Sequence, residues 1–236
     1  WYSESSGSAY ATWNIGSGSS DNVGVFLENG GTVQFGELTG SGTLKYGYPN
    51  AATATTLELG GKNTSFTCGV NVDGMNIKKE GSGTMTFTGT NPGEIEIANG
   101  AVAVSSDITA STTVTLSALA GSLQVASSVT VSDESKITQS LGDAYYVKKT
   151  EGADYTTYQA ALIVAKVGDT SYSSLADAVS NANGANITLC ADTTETVDIS
   201  LAAGQVFDDG GYTHENATIA GSATGIEVVE SGTTYT

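Results

Sequence analysis

Short runs in which apolar and polar residues alternate recur along most of this chain, about every 10 to 13 residues. Turn residues such as Gly, Asn and Asp separate the runs. Clear examples of the alternation are TLEL (56–59), TMTFT (84–88), EIEI (94–97) and TVTL (113–116). In a β-strand, such alternation places one set of side chains in a core and the other set in water. The pattern therefore predicts many short strands joined by tight turns, and an all-β fold.

The composition separates this chain from a disordered one. Among its 236 residues are 30 Gly but only 2 Pro, and Ser with Thr make up about a quarter of the chain, above ordinary usage. Disordered segments share that Gly and Ser content but lack aromatic and β-branched residues. Here 11 Tyr stand among many Val, Ile and Thr. The chain is thus long enough and apolar enough to bury a core.

The charge balance limits the classes of partner. The 25 acidic residues outnumber the 8 basic ones, all lysine, and give a formal net charge of −17. A field of that sign repels nucleic-acid phosphates and anionic lipid surfaces. Solubility is the plain interpretation of the charge, and Ca²⁺ bound by loop carboxylates is the alternative. We otherwise expect no cofactor.

Neither a membrane span nor a leader is recognisable in the sequence. No apolar run approaches the length that a membrane-spanning helix needs, so we expect no membrane insertion in this segment. The opening WYSESSGSAY lacks an initiator Met and the features of a signal peptide. We therefore expect a mature product or a piece of a longer protein, in which a catalytic domain could lie elsewhere.

The two cysteines do not have the spacing of metal ligands. Cys68 and Cys190 lie in strand-like contexts, and His214 is the only histidine. Two buried free thiols, one disulfide and pairing between molecules are the interpretations that the sequence leaves open. Zinc is disfavoured, because no CxxC or HxxxH pair exists.

The alternating runs are also similar to one another. LTGSGTLKYG (38–47) aligns without a gap on KEGSGTMTFT (79–88), and LELGGKN (57–63) matches MTFTGTN (85–91). Asn and Gly at corners tolerate the positive φ that sharp turns require, and such dipeptides occur at Asn29-Gly30, Asp73-Gly74 and Asn99-Gly100. Short quasi-repeats predict a solenoid, in which each unit buries its apolar edge only by stacking on its neighbours.

One of these runs shows which side chains would fill the solenoid. In TMTFT, Met85 and Phe87 alternate with threonines. We predict that Met85 and Phe87 fill the interior, and that the side chains facing outward are those of Thr84, Thr86 and Thr88.

Residues 79–105, KEGSGTMTFTGTNPGEIEIANGAVAVS, resemble the passenger-associated repeat of bacterial autotransporters and related surface proteins. That pattern consists of Lys, Gly-small-Gly-Thr, alternating apolar residues, Gly-x-Asn, a Gly, a strand, Asn-Gly and a second strand. Residues 36–74 match it more loosely, and the usual run of Gly and Thr is cut short after Gly93. The resemblance implies a right-handed parallel β-helix located on a bacterial cell surface or secreted, and it implies little about activity.

The pattern of alternating strand-like runs changes between residues 141 and 165. We place a β-helix in residues 1–145 and a smaller β unit in residues 146–236. Ser174 and Asp177 have the spacing of a capping box, which predicts one short capping helix over 173–183. One helix face would carry Leu175, Ala178, Val179 and Ala182. From Ala165 onward, the order of helix, strands and Gly-rich turn resembles β-helix modules of secreted bacterial proteins.

Two groups of residues are candidates for a site. Asp208, Asp209 and His214, in VFDDGGYTHEN, are the most enzyme-like, because some β-helical polysaccharide hydrolases use paired aspartates and a histidine as acid, base and water activator. Asp-Asp before Gly-Gly is more typical of a surface corner, and no arginine is present to bind a sugar carboxylate. The second group could stack on sugar rings or simply pack in strands; its members are Tyr145, Tyr146, Tyr155, Tyr158 and Tyr172.

The sequence favours a non-catalytic structural or adhesive segment of a secreted or cell-surface bacterial protein, acting as a stalk, a spacer or a self-assembling surface subunit. A glycan-binding or polysaccharide-degrading β-helix module is the first alternative, and a Ca²⁺-dependent adhesin is the second. The partners that we expect are further copies of the chain or extracellular glycans, and not nucleic acid.

Overall fold

The structure is a computed structural model that describes residues 7–16, 24–27, 31–46, 55–90, 92–109, 111–221 and 227–229. Within these ranges the chain is built from short strands, with one α-helix and one short 3-10 helix. The stacked strands form a parallel β-solenoid of about nine turns. The prediction of an all-β parallel β-helix with one short α-helix is therefore confirmed.

In chain order, the described strands are β1 (Gly7–Ile15), β2 (Gly24–Leu27), β3 (Thr32–Gly40), β4 (Thr43–Tyr46), β5 (Thr56–Leu59), β6 (Phe66–Cys68), β7 (Asn71–Asp73), β8 (Asn76–Lys79), β9 (Thr84–Phe87), β10 (Glu94–Ile97), β11 (Gly100–Val104), β12 (Thr113–Leu116), β13 (Gly121–Ala126), β14 (Ile137–Gln139), β15 (Tyr145–Glu151), β16 (Tyr155–Leu162), β17 (Ala165–Val167), β18 (Thr170–Tyr172), β19 (Ile187–Leu189), β20 (Val197–Leu201), β21 (Val206–Asp208), β22 (Ala217–Gly221) and β23 (Glu227–Val229). The α-helix, α1, spans Leu175–Asn181, and the 3-10 helix spans Glu134–Lys136.

Successive strands pass from one sheet to the next and then return. β5, β6 and β7 belong to three different sheets, and β8 rejoins the sheet of β5. The first sheet has the order β1-β3-β5-β8-β10-β12-β14, with parallel pairing throughout. The second sheet is β15-β16-β13-β11-β9-β6, and the third is β2-β4-β7. One coil of the solenoid takes about 20 residues, since Leu57 pairs with Ile77.

The register of the first sheet stacks like residues on like. Each of these strands directs one aliphatic side chain inward at the same height, and the resulting column is Val33, Leu57, Ile77, Ile95, Val114 and Ile137. All six side chains are buried in one continuous core. A single coil could not bury these side chains alone, so the stack itself provides the hydrophobic stabilisation.

The second sheet continues the same core from the opposite side. Met85 stacks between Phe66 and Val102, and Phe87 stacks between Cys68 and Val104. Met85 and Phe87 are buried, as predicted. The flanking threonines are half-buried at Thr84 and exposed at Thr86 and Thr88, so their predicted outward orientation is confirmed.

The sequence alignments between runs do not follow the register of the coils. The matched segments 57–63 and 85–91 begin in β5 and β9, which lie in different sheets. Likewise, β4 pairs with β7, whereas its sequence match β9 pairs with β6 and β11. The similarity reflects a shared sequence of corner and strand, which the chain uses on more than one face of the coil.

Two of the three predicted corners have the expected backbone. Gly74 and Gly100 adopt positive φ values of 73° and 64°. Gly100 also leaves no room for a side chain, because an added Cβ would lie 2.5 Å from the carbonyl oxygen of Gly83. Asn29-Gly30 lies outside the described residues.

The chain divides into two compact units. The first comprises Trp1–Gly142 and Val147–Ala160, and the second comprises Asp143–Tyr146 and Ala161–Thr236. Residues 147–160 belong to the first unit because β16 pairs antiparallel with β13, the last parallel strand of the second sheet. This reversal adds Tyr158 and Ala160 to the core of the first unit.

The second unit contains its own small core around α1. β17 pairs antiparallel with β18 and β19, and β19 pairs parallel with β21. The Ser174 hydroxyl accepts a hydrogen bond from the Asp177 N–H at 3.1 Å. The Glu195 carboxylate accepts hydrogen bonds from the backbone N–H groups of Leu175 and Ala176, in the first turn of the helix. Leu175 and Ala178 are fully buried. The capping helix predicted over 173–183 is confirmed, with its helical turns at Leu175–Asn181.

Both cysteines are free thiols. Cys68 is buried in the core of the first unit and Cys190 is half-buried in the second. Burial raises the pKa of the Cys68 thiol to about 11, so this side chain behaves as a small apolar residue.

A carboxylate at position 87 should prevent folding, whereas one at position 86 should not. Phe87→Asp places an unpaired charge in the core, and we expect a loss of more than about 4 kcal/mol of unfolding free energy. Thr86→Asp, on the exposed side of the same strand, should change it by less than about 1 kcal/mol. Urea unfolding followed by circular dichroism measures both. Equal stability of the two variants would show that Phe87 does not lie in the core.

Candidate functional site

A polar groove of about 350 Å³ opens in the first unit, beside the end of β13. Loop residues after β13 line one wall, and the hairpin of β15 and β16 lines the other. The side chains that give the groove its chemistry are Ser127, Glu134, Lys149, Glu151, Thr156 and Tyr158. Its size is at the lower end of the range for small-molecule sites.

Three of these side chains meet at one carboxylate oxygen. The Tyr158 hydroxyl donates to Oε1 of Glu134 at 2.9 Å, and Nζ of Lys149 donates to the same atom at 2.8 Å. Lys149 also pairs with Glu151 at 3.6 Å. Tyr158 is only 2% exposed, because its ring lies opposite Leu123 in the core. Its hydroxyl alone therefore contributes to the groove.

The electrostatics of this cluster fix its protonation states. The hydrogen bond from Lys149, and then that from Tyr158, lowers the pKa of Glu134. The Glu134 carboxylate in turn raises the pKa of Lys149. Burial first, and then the hydrogen bond to Glu134, raises the pKa of Tyr158 to about 12. None of these three groups exchanges a proton near neutral pH, so the cluster is suited to hydrogen bonding rather than to acid–base catalysis.

The two aspartates predicted as a possible catalytic pair each cap a turn. Asp208 Oδ1 accepts from the Gly210 N–H, and Asp209 Oδ1 accepts from the Gly211 N–H, both at 2.9 Å. Asp208 is half-buried, whereas Asp209 has 0% exposure. The surface corner predicted from Asp-Asp-Gly-Gly is thus wrong for Asp209, whose carboxylate turns inward to its own loop. Short side chains that bond to amides two residues on are typical of turn formation.

His214 is a core residue of the second unit. Its ring is 6% exposed and packs edge-on against Phe207, with ring centroids 5.6 Å apart and planes at 89°. Its backbone forms an isolated parallel bridge with Thr193. His214 is close to Asp208 and Asp209 in sequence, and its ring packs on Phe207.

The predicted tyrosines occupy different environments. Tyr145 and Tyr146 are half-buried in β15, and Tyr172 packs against the core of the second unit. Tyr158 is buried, as described above. Tyr155, on β16, is 42% exposed. Among the five candidate tyrosines, Tyr155 alone presents a large part of its side chain to solvent.

A buried lysine lies at one corner of the solenoid. Lys79 has 0% exposure and occupies the interior column between Leu59 and Ile97. Its ammonium donates to three backbone carbonyl oxygens, of Glu80 at 2.6 Å, Gly81 at 2.7 Å and Asn99 at 3.3 Å. Burial lowers the pKa of Lys79 to about 8. The ammonium thus satisfies carbonyl groups that the sharp corners leave without a ladder partner.

A surface carboxylate joins three consecutive coils. Glu37 accepts hydrogen bonds from the hydroxyls of Thr12, at 2.6 Å, and Thr64, and Lys62 pairs with it at 3.2 Å. These bonds, led by those from Thr12 and Thr64, lower the pKa of Glu37 from 4.5 to about 2. The ionised form is therefore favoured in the folded state.

No group of three or more His, Cys, Asp or Glu in the described ranges is arranged to hold a metal ion. The described part of the chain also has no helix of the length and hydropathy that crossing a membrane requires. Comparison of the chain with protein-family models, with curated proteins and with solved structures finds no match.

The polar groove could not be predicted from sequence. Glu134, Lys149 and Tyr158 come together only because β16 reverses direction and pairs with β13. The alternation in YTTYQA indicates that Tyr158 points inward, but no local pattern indicates which acid receives its hydroxyl. Lys79 points inward because it lies two residues after Ile77 in the strand NIKK, and alternate residues share one face. A charged residue is not expected in the core, so the sequence pattern alone does not reveal this position.

Replacing Lys79 should destabilise the fold far more than replacing its neighbour Lys78. Lys79→Met leaves three carbonyl oxygens without their donor, so we expect a loss of about 2 to 4 kcal/mol in unfolding free energy. Lys78→Met removes only surface ion pairs with Glu58 and Glu80, and should cost less than about 1 kcal/mol. Urea unfolding at pH 7 measures the difference, and equal losses would contradict the role of the buried ammonium.

Glu37 should stabilise the fold only above acidic pH. Its pKa is lowered on folding, so its contribution is complete above pH 4.5 and is lost as the pH falls towards 2. Because the group lies at the surface, Glu37→Gln should lower the unfolding free energy by less than about 1 kcal/mol at pH 7. The wild type and the variant should then converge near pH 2. A constant difference from pH 7 to pH 2 would rule out this linkage.

Proposed function

We propose that the chain is a non-catalytic structural and adhesive segment of a secreted or cell-surface bacterial protein, acting as a stalk or spacer. The in-register stack of the first sheet carries this proposal. Each coil adds one strand, and one rise of about 4.8 Å, to a continuous core. Such a stack sets a distance and displays side chains in regular rows, and both properties suit a spacer.

The resemblance to passenger-associated repeats supports the cellular location in this proposal. The Gly81–Gly83 corner, the strand with Met85 and Phe87, and the Asn99-Gly100 corner occupy successive positions of one coil and the next. This order of corner and strand follows the sequence pattern on which the resemblance rests. Display outside the bacterial cell, through a parent protein of the autotransporter type, is therefore part of the proposal.

The geometry of the enzyme-like residues gives less support to a polysaccharide-degrading module. Asp208 and Asp209 bind amides of their own loop, and His214 packs on Phe207. We therefore assign these residues to the structure of the second unit. Self-association and a Ca²⁺ requirement belong to the same adhesive proposal, and sedimentation with Ca²⁺ or EDTA measures both.

Removal of one whole coil should test the spacer function. Deleting residues 77–94 joins Asn76 to Ile95, which takes the register position of Ile77 on Leu57. We expect a folded, shorter solenoid with a cooperative melting transition. Deleting residues 77–85 instead joins Asn76 to Thr86 and destroys the register, so this control should not fold. Equal failure of both deletions would contradict modular stacking.

The absence of catalysis is tested separately. The intact chain and the Asp208→Asn, Asp209→Asn double variant are incubated with neutral and acidic polysaccharides, and new reducing ends are measured. We expect no release from either protein. Release by the intact chain that disappears in the double variant would overturn the proposed function.

A further inference from the structure

Charge is distributed unevenly between the faces of the solenoid. The first sheet carries Glu37, Glu58, Lys78, Glu94 and Glu96 on its strands. The edge strand β15 of the second sheet carries Lys148, Lys149 and Glu151. The outward side chains of the other five strands include no charged residue, although the chain has 25 acids. These strands are FTC (β6), TMTF (β9), GAVAV (β11), GSLQVA (β13) and YTTYQAAL (β16). We call their outward surface the uncharged face.

The uncharged face consists of two rows of side chains, all of them Thr, Ser, Gln or Ala. The register places the first row at Thr67, Thr86, Ala103, Gln124 and Thr157. The second row is Thr84, Ala101, Ser122 and Gln159. Ala101 and Ala103 lie outside the core cluster and are only 7% and 3% exposed, so these two positions contribute little accessible surface. The accessible groups of the two rows are therefore hydroxyls and amides.

One aromatic ring lies on the same face. Tyr155 pairs with Ala126 and shares the outward orientation of Thr157 and Gln159, because alternate residues of β16 point to the same side. It is 42% exposed. A partly exposed tyrosine at the end of a polar strip offers an apolar ring face beside hydrogen-bonding groups.

The charge pattern selects the chemistry of the partner. A polyanion is repelled by a chain of net charge −17. A cationic partner is attracted instead to the carboxylates of the first sheet. A neutral partner with many hydroxyl groups is not repelled by the net charge and is not drawn to the first sheet. The Thr, Ser and Gln side chains of the uncharged face can donate hydrogen bonds to it and accept hydrogen bonds from it.

The dimensions favour a single extended chain over a second copy of the protein. Five strands about 4.8 Å apart span about 19 Å, and three outward positions on a strand span about 14 Å, so the strip offers about 270 Å². A stable protein interface needs about 800 Å² on each partner. Extended hexose polymers repeat at close to the strand spacing, so successive sugars can meet successive strands.

We infer that the uncharged face binds a neutral, extended polysaccharide that runs across the strands from Thr67 to Thr157, with Tyr155 stacked on one of its sugars. The inference rests on the proposed adhesive function and names its partner. The hydroxyl and amide rows hydrogen-bond the sugar hydroxyls, and the lack of charge avoids desolvating an ion under the sugar chain.

Affinity electrophoresis of the full chain tests the inference, with hydroxyethyl cellulose, xylan or glucomannan in the gel and polygalacturonate as the anionic control. We expect at least one neutral polymer to retard the wild type and polygalacturonate not to do so. Tyr155→Ala should weaken the interaction about tenfold. Thr86→Glu and Thr138→Glu form a matched pair of exposed strand threonines on the uncharged face and the first sheet. The first substitution should weaken binding about tenfold, and the second should leave it unchanged.

Three results would overturn the inference. They are no retardation by any neutral polymer, equal effects of Thr86→Glu and Thr138→Glu, and retardation by polygalacturonate alone. Sedimentation of the same proteins tests whether a second copy of the chain occupies the uncharged face instead. A dimer that Thr86→Glu dissociates would assign the face to that second copy and would also overturn the inference. Melting curves show that each variant is folded. None of these results would overturn the proposed stalk function, which is tested separately by the coil deletions and by the assay for reducing ends.

Discussion

Parallel pairing of each coil with the next at a fixed register is the constraint on which this structure depends. Alternation has a period of two, so a slip of one residue would move a whole strand's apolar side chains into water. Ile77 must therefore meet both Leu57 and Ile95, whatever the corners do. The corners absorb the differences in length between coils, as the long segment between Val114 and Ile137 illustrates.

The same constraint explains why polar groups appear where they do. Sharp corners remove carbonyl oxygens from the ladders, and a donor must reach them in the interior. Lys79 supplies three hydrogen bonds from within an aliphatic column, and this makes its burial tolerable. On the outside, Glu37 connects Thr12 and Thr64 across coils without entering the core.

Local alternation was sufficient to predict strands such as TLEL, TMTF, EIEI and TVTL and the inward side chains Met85 and Phe87. The capping-box spacing of Ser174 and Asp177 was sufficient to predict the helix. These features depend on neighbours a few residues apart. The pairing of β16 with β13, and with it the Glu134–Lys149–Tyr158 cluster, depends on a reversal of chain direction that no short pattern encodes. Similar corner sequences on different faces also explain why aligning residues 57–63 with 85–91 did not give the register. The uncharged face needed the register as well, since it joins residues from five strands.

Lys79 gives the molecule an internal reporter of its own opening. A reagent that acylates amines cannot reach a side chain with 0% exposure. Acylation of Lys79 therefore requires the corner formed by Gly81 and Asn99 to separate from it, and each modified molecule records one such event. The rate of labelling at this position measures how often neighbouring coils part, independently of the unfolding of the whole chain.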